Sequence, residues 1–158
     1  MDIIKLVGHP GASSTYRDHH YRDHAAINAF KPEWLLPWAN AGRLPATVWF
    51  KFLSNVHLNR ISFTSRRGRW WHQAPETFNI VGSKDGKNWR ELLHIESAGF
   101  SEGGQTKTWD VACNDAFFQF VGVKVLKSKL GGSTAITNIT MWGQTQEGNV
   151  RYWISYQL

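Results

Sequence analysis

The stretch Glu76-Thr77-Phe78-Asn79-Ile80-Val81-Gly82-Ser83-Lys84-Asp85-Gly86-Lys87-Asn88-Trp89 decides the fold. Residues 78–83 are β-rich and give way abruptly to a cluster of turn formers. Within that cluster Asp85-Gly86 is a strong hairpin signal, because glycine takes a positive φ without steric cost. A second β-rich run, 89–95, comes directly after it. Two short runs joined in this way predict an antiparallel hairpin.

Working outward, the same grammar repeats. Residues 47–52 alternate, with Val48, Phe50 and Phe52 on one face and Thr47, Trp49 and Lys51 on the other. Residues 60–65 do the same, predicting Ile61 and Phe63 inward and Ser62 and Thr64 outward. Runs at 106–111, 117–126 and 136–142 bring the set to about seven strands. The gaps carry Gly99, Gly103-Gly104 and Gly131-Gly132. Helical periodicity surfaces only briefly, around 23–30, and Pro32, Pro37 and Pro45 break up the next stretch of chain. The reading is therefore all-β: an antiparallel sandwich of jelly-roll type with a loop-rich N-terminal segment. Its expected core contains Trp89, Phe63, Ile61, Phe78, Ile80 and Val121. At the other end Val150, Tyr152, Ile154, Tyr156 and Leu158 alternate with Arg151, Trp153, Ser155 and Gln157. This predicts a sandwich domain over 1–143 and an extension over 144–158 that adds a strand.

Composition bounds the function. A chain of 158 residues suits one domain with a proper core. With 42% hydrophobic and 19% charged residues it is not a disordered chain. Nine tryptophans exceed what one small core absorbs, so some indole is expected at a surface contact site. A net charge of +6 is compatible with nucleic acid, anionic lipid or acidic glycans. The single cysteine, Cys113, allows no intramolecular disulfide. The start of the chain does not read as a signal peptide, and no apolar run approaches the roughly 18 residues of a spanning helix. These features admit an intracellular location.

Five pieces occur in order over residues 12–143: Ala12-Ser13-Ser14-Thr15-Tyr16; Ala26-Ile27-Asn28; Arg60-Ile61-Ser62-Phe63-Thr64-Ser65-Arg66; the hairpin, with its Ser83-Lys84-Asp85-Gly86-Lys87-Asn88-Trp89 pattern; and Ile136-Thr137-Asn138-Ile139-Thr140-Met141-Trp142-Gly143. In this order and spacing the chain resembles the discoidin domain, also called the factor V/factor VIII type C domain, which is related to carbohydrate-binding module family 32 and shares its galactose-binding-like fold. Three departures stand out. The family turn that helps to hold a structural calcium reads here Asn28-Ala29-Phe30, Asn138 replaces the Glu of the closing strand, and the terminal cysteine pair is absent. Calcium favours carboxylate oxygen, so no metal or other cofactor is expected. The resemblance also implies an often extracellular setting, which the missing cysteines put in question.

The resemblance further implies a non-catalytic module whose loops at one end meet the ligand. Those loops map to 33–40, 66–73 and 100–104. The first holds Trp34, Leu35, Leu36 and Trp38; the second reads Arg66-Arg67-Gly68-Arg69-Trp70-Trp71-His72-Gln73. Candidate ligand-binding residues are Arg66, Trp71, His72, Trp38, Arg69 and Trp70. Indole can cover the C–H face of a sugar while Arg and His bond its hydroxyls; the alternative is that Trp70 or Trp71 plugs the end of the sandwich. The expected partner is a glycan of galactose type, recognised in lectin fashion. The alternatives are an adhesion or protein-interaction surface built on an aromatic–Arg hot spot and an anionic lipid surface met by Trp, Leu and Arg. Nucleic acid is a residual reading, and homo-oligomerisation would raise avidity. Enzymatic motifs are missing. Within Tyr16-Arg17-Asp18-His19-His20-Tyr21-Arg22-Asp23-His24, His20 and His24 have a zinc-compatible spacing, but Tyr21 stands where a metalloprotease places Glu, and a polar loop is the commoner meaning.

Overall fold

One long strand organises the molecule. β3 (Ala46–Thr64) pairs over 46–51 with β7 (Phe118–Ser128), and along 48–52 its other edge pairs with β1 (Gly8–Ala12). Over 56–64 the same strand pairs with β8 (Ala135–Thr145), and over 60–64 also with β6 (Thr106–Asp110). Register breaks between Lys51 and Val56, where β3 passes from one layer into the other. The computed structural model describes residues 8–16, 25–31, 37–111 and 116–145, and the backbone of 151–154.

The first layer continues from β7 through β4 (Pro75–Ser83) to β5 (Trp89–Ile95), in the order β1-β3-β7-β4-β5. The second runs β6-β3-β8, and the outer edge of β8 takes β2 (Trp38–Ala39) near one end and β9 (Arg151–Ile154) near the other. Every described pairing is antiparallel, and the fold is an antiparallel β-sandwich. In place of the brief helix expected around 23–30 there is a 3-10 turn, Ala26–Phe30. β8 continues past the expected boundary at 143, and β9 lies against it with Met141 opposite Ile154 and Gln144 opposite Arg151.

Alternation places the core as read. Val48, Phe50, Phe52, Ile61, Phe63, Phe78, Ile80 and Val121 are all buried between the layers. The Phe63 ring meets Phe78 edge-on at 5.2 Å and Trp109 at 4.8 Å. Two expectations are corrected. Trp89 is half-buried on the outer face of the first layer, 5.7 Å from Trp49 and 6.1 Å from Phe120. Ile80 pairs with Leu93 and Val81 with Glu91, so Leu92 is an extra residue that reverses the facing of β5 before it reaches Trp89. Ser62 and Thr64 are buried rather than outward, because β6 and β8 flank both edges of β3 there. Thr64 Oγ1 is satisfied by Thr106 Oγ1 at 2.6 Å.

The hairpin closes on itself. Both Ser83 Oγ and the N–H groups of Lys87 and Asn88 donate to Asp85 Oδ1, at 3.0, 2.8 and 2.8 Å, and Asn88 Nδ2 donates to Oδ2 at 2.7 Å. These bonds, led by the Asn88 N–H, hold the Asp85 carboxyl well below the usual carboxylate range. Gly86 sits at φ +77° with the Phe120 ring so close that a Cβ would lie 2.9 Å from it. Position and packing both demand glycine there.

Candidate functional site

The opposite end of the sandwich is built from four segments that hold one another. Ser65, just beyond the end of β3 at Thr64, is fully buried. Its N–H donates to Gln105 O at 2.9 Å and its hydroxyl to Glu102 O at 2.7 Å. In return the Gln105 N–H donates to Ser65 Oγ at 3.0 Å, and Gly104 N–H to Ser65 O at 3.0 Å. The 66–74 loop is thereby strapped at its base to the 98–105 loop. Its far side is held by the β7–β8 connection: Leu130 N–H donates to His72 O at 2.7 Å, Lys129 N–H to Ala74 O at 3.1 Å and Thr134 Oγ1 to Gln73 O at 2.9 Å. Thr134 is in turn bonded to buried Asn40, whose Oδ1 accepts the Thr134 N–H at 2.8 Å.

These loops enclose an open cavity of about 310 Å³. Tyr16, Trp70 and Leu130 supply its apolar wall, and Arg66, Gln73, Asn40 and Ser133 its polar groups. Four large apolar side chains stand exposed among the described residues, and three of them line this cavity: Tyr16 at 42%, Trp70 at 45% and Leu130 at 48%. Arg66 is half-buried and donates from its guanidinium to Gln73 Oε1 at 2.8 Å. Burial lowers its pKa from the ordinary value, yet a guanidinium stays charged at neutral pH. Arg69 lies over the Trp70 ring at 5.1 Å, a cation–π contact at the rim.

The candidate residues separate into three groups. Arg66 and Trp70 line the cavity, with Arg69 beside them. Trp71 and His72 belong to the 3-10 turn Trp71–Gln73, stack on each other at 4.1 Å and lie outside the lining. The Trp71 Cβ packs against Gly103, where an added Cβ would sit 3.2 Å away. Trp38 is corrected: it is fully buried, its indole N–H donating to Ser14 O at 3.0 Å. β2 pairing of Trp38 with Ile136 brings the ring into the core, so it offers no face to solvent. Trp34, Leu35, Leu36, the 17–24 His/Asp tandem and Cys113 lie outside the described residues. Sequence reading missed Tyr16, Asn40, Gln73, Leu130 and Ser133 as lining residues. Leu130 had a signal, a lone large apolar residue between Lys129 and Gly131-Gly132.

A larger hollow of about 420 Å³ lies at the hairpin end against Trp89 and Phe118. Its one carboxylate, Asp85, is already saturated by its own turn, which leaves mainly an apolar wall. The loop-end cavity is the better candidate, since it combines exposed aromatics with polar groups held from several segments.

A model of the F5/8 type C domain matches residues 11–142, most of the chain. The chain belongs to the F5/8 type C domain family. Solved structures repeat the fold at low identity. An F5/8 type C domain from Bacteroides fragilis superposes with a TM-score of 0.71 at 15% identity, over 90% of this chain and 97% of that one. The module CpGH89CBM32-5 of Clostridium perfringens, in complex with GalNAc-β-1,3-galactose, gives 0.69 at 17% identity over 85% and 94%. The CBM32 of AlyQ, in complex with 4,5-unsaturated mannuronic acid, gives 0.67 at 12% identity over 87% and 95%. No curated protein matches the chain.

The calcium that the resemblance implies does not fit this F5/8 type C domain. Asn138, at φ 53°, donates its backbone N–H to Lys31 O at 2.8 Å and its amide to Thr64 Oγ1 at 3.4 Å. The turn is thus tied to the closing strand by direct hydrogen bonds. Both acid positions carry amides, and no three His, Cys, Asp or Glu side chains among the described residues gather in a metal-binding group.

Proposed function

We propose that this domain is a non-catalytic carbohydrate-binding module whose sugar site is the loop-end cavity. The observation that carries the reading is the convergence of Tyr16, Trp70 and Leu130 on one hollow that also holds Arg66 and Gln73. A pyranose has an apolar C–H face and an equator of hydroxyls. An exposed indole and phenol cover the first, and a guanidinium and a carboxamide bond the second. Arg66 is held by the Gln73 carboxamide and the Gln73 backbone by Thr134, so the loop leaves less ordering for the ligand to impose. Among the described residues the lining carries no carboxylate and no imidazole, the groups that most often move protons in glycoside chemistry. The sandwich relatives solved with sugars support the same class of ligand, and galactose-type sugars are the first to test.

The test is titration of the intact chain with a sugar panel, monitored by tryptophan fluorescence and by amide NMR. Trp70→Ala and Arg66→Ala should each lose about 1–3 kcal/mol of binding. For a millimolar ligand that is nearly all of the measurable affinity. The melting temperature of Trp70→Ala should stay close to that of the parent. Trp71→Ala serves as the contrast: it should leave binding largely intact and lower stability through the lost contact with the 98–105 loop. A variant pair with these roles exchanged would move the site onto the Trp71–His72 stack.

A further inference from the structure

Arg66 is the sole formal charge in the cavity lining among the described residues, and its hydrogen-bond partner there, Gln73, is neutral. A half-buried guanidinium normally gathers a carboxylate, because an uncompensated charge removed from water is costly. Among the described residues the nearby acids are occupied or remote from the hollow. Glu76 is engaged by Lys129 at 3.5 Å, and Glu102 contributes its backbone carbonyl to Ser65 while standing exposed outside the lining. Arg43, Arg67 and Arg69 add exposed cationic groups to the loops of the same end. Among the described residues the cavity is therefore a partly desolvated cup, aromatic on one wall, whose single cation is paired with no carboxylate.

We infer that this cavity selects glycans that carry a carboxylate, with a uronic-acid residue seated on Tyr16 and Trp70 and its C6 carboxylate paired with Arg66. The inference rests on the reading of the cavity as a sugar site and narrows it. A carboxylate accepts charge-assisted hydrogen bonds from the guanidinium N–H groups that Gln73 does not use, whereas a neutral hydroxyl leaves the cation uncompensated. The aromatic wall keeps the ligand class a sugar rather than a bare anion, since inorganic anions have no apolar face to cover Tyr16, Trp70 and Leu130. The acidic monosaccharide in the AlyQ module shows that this fold accommodates such a ligand.

The experiment compares sugars that differ only at C6. Galacturonate against galactose, glucuronate against glucose and mannuronate against mannose are titrated into the intact chain at about 20 mM and about 500 mM salt. In at least one pair the acid should bind about tenfold more tightly at low salt, and the gap should narrow at high salt. Arg66→Gln should abolish the gap, and Arg66→Lys should retain part of it. Equal or weaker binding of the acids in every pair that binds overturns the selectivity but leaves the neutral-sugar site standing. If no member of any pair binds, the sugar reading and the inference fall together. Sedimentation with phosphatidylserine vesicles runs alongside; capture by vesicles without uronate binding also overturns the inference and assigns the cation to lipid headgroups.

Discussion

β4 carries a loop at each of its ends, and the two are built on different principles. Beyond Ser83 the turn is a local object: its side-chain bonds join residues two or three apart. Before Pro75 the 66–74 loop is a long-range object. Its supports come from Gln105, Thr134 and Leu130, and the neighbouring Asn40–Thr134 bond spans 94 positions. The first loop needs only its own sequence to adopt its shape. The second exists only once four segments have met, and that is where exposed aromatics and a half-buried cation can be held around one hollow.

This contrast can be broken at either end, and the largest effect is expected at the local turn. Gly86→Val places a branched side chain at φ +77° and against the Phe120 ring. It should cost roughly 2–4 kcal/mol of stability in urea denaturation. Sugar affinity of the fraction still folded should match the parent, because the site lies at the other end of β4. An affinity loss that outruns the stability loss would show that the two ends are coupled.

Ser65→Ala makes the converse cut. It removes the hydroxyl that both accepts from Gln105 and donates to Glu102, leaving two part-buried backbone groups short of a partner. The expected cost is about 1–3 kcal/mol, with sugar binding weakened in step as the 66–74 loop loses its base. A stable variant with unchanged binding would mean that the β7–β8 connection alone suffices to hold the cavity.

The smallest effect is the titration of Asp85. Hydrogen bonds from Asn88 and Lys87 depress its folded pKa, so its stabilisation is fully present above the unfolded value of about 4 and fades as pH falls through that value toward the folded one. The melting temperature of the parent should therefore drop more steeply between about pH 4 and pH 2 than that of Asp85→Asn. Parallel slopes would mean that the turn keeps its shape without the charge.

The same local-versus-distant divide governs how much of the molecule is legible in its sequence. The hairpin, the inward residues of β3 and the antiparallel sandwich are legible because their signals, Asp85-Gly86 and period-two alternation, lie within a few positions of the structure they produce. Trp89 escapes because one extra residue, Leu92, reverses the facing of β5, and such a bulge leaves alternation locally ambiguous. Trp38 escapes because a two-residue strand pairing with Ile136 is set by a partner almost a hundred positions away. In the site, Arg66 and Trp70 stand out as an arginine–indole loop, whereas Tyr16, Leu130 and Ser133 look like ordinary loop residues.

By itself, then, the order of residues determined the all-β class, the hairpin and the family pattern, since backbone sterics and side-chain alternation act over two to six residues. Only the tertiary structure decided which of the surplus indoles face solvent. It buried Trp38, packed Trp71 against Gly103 and left Trp70 open beside Tyr16 and Leu130. The physical reason is that exposure is a property of what packs around a side chain, and here every surrounding segment arrives from a distant part of the chain.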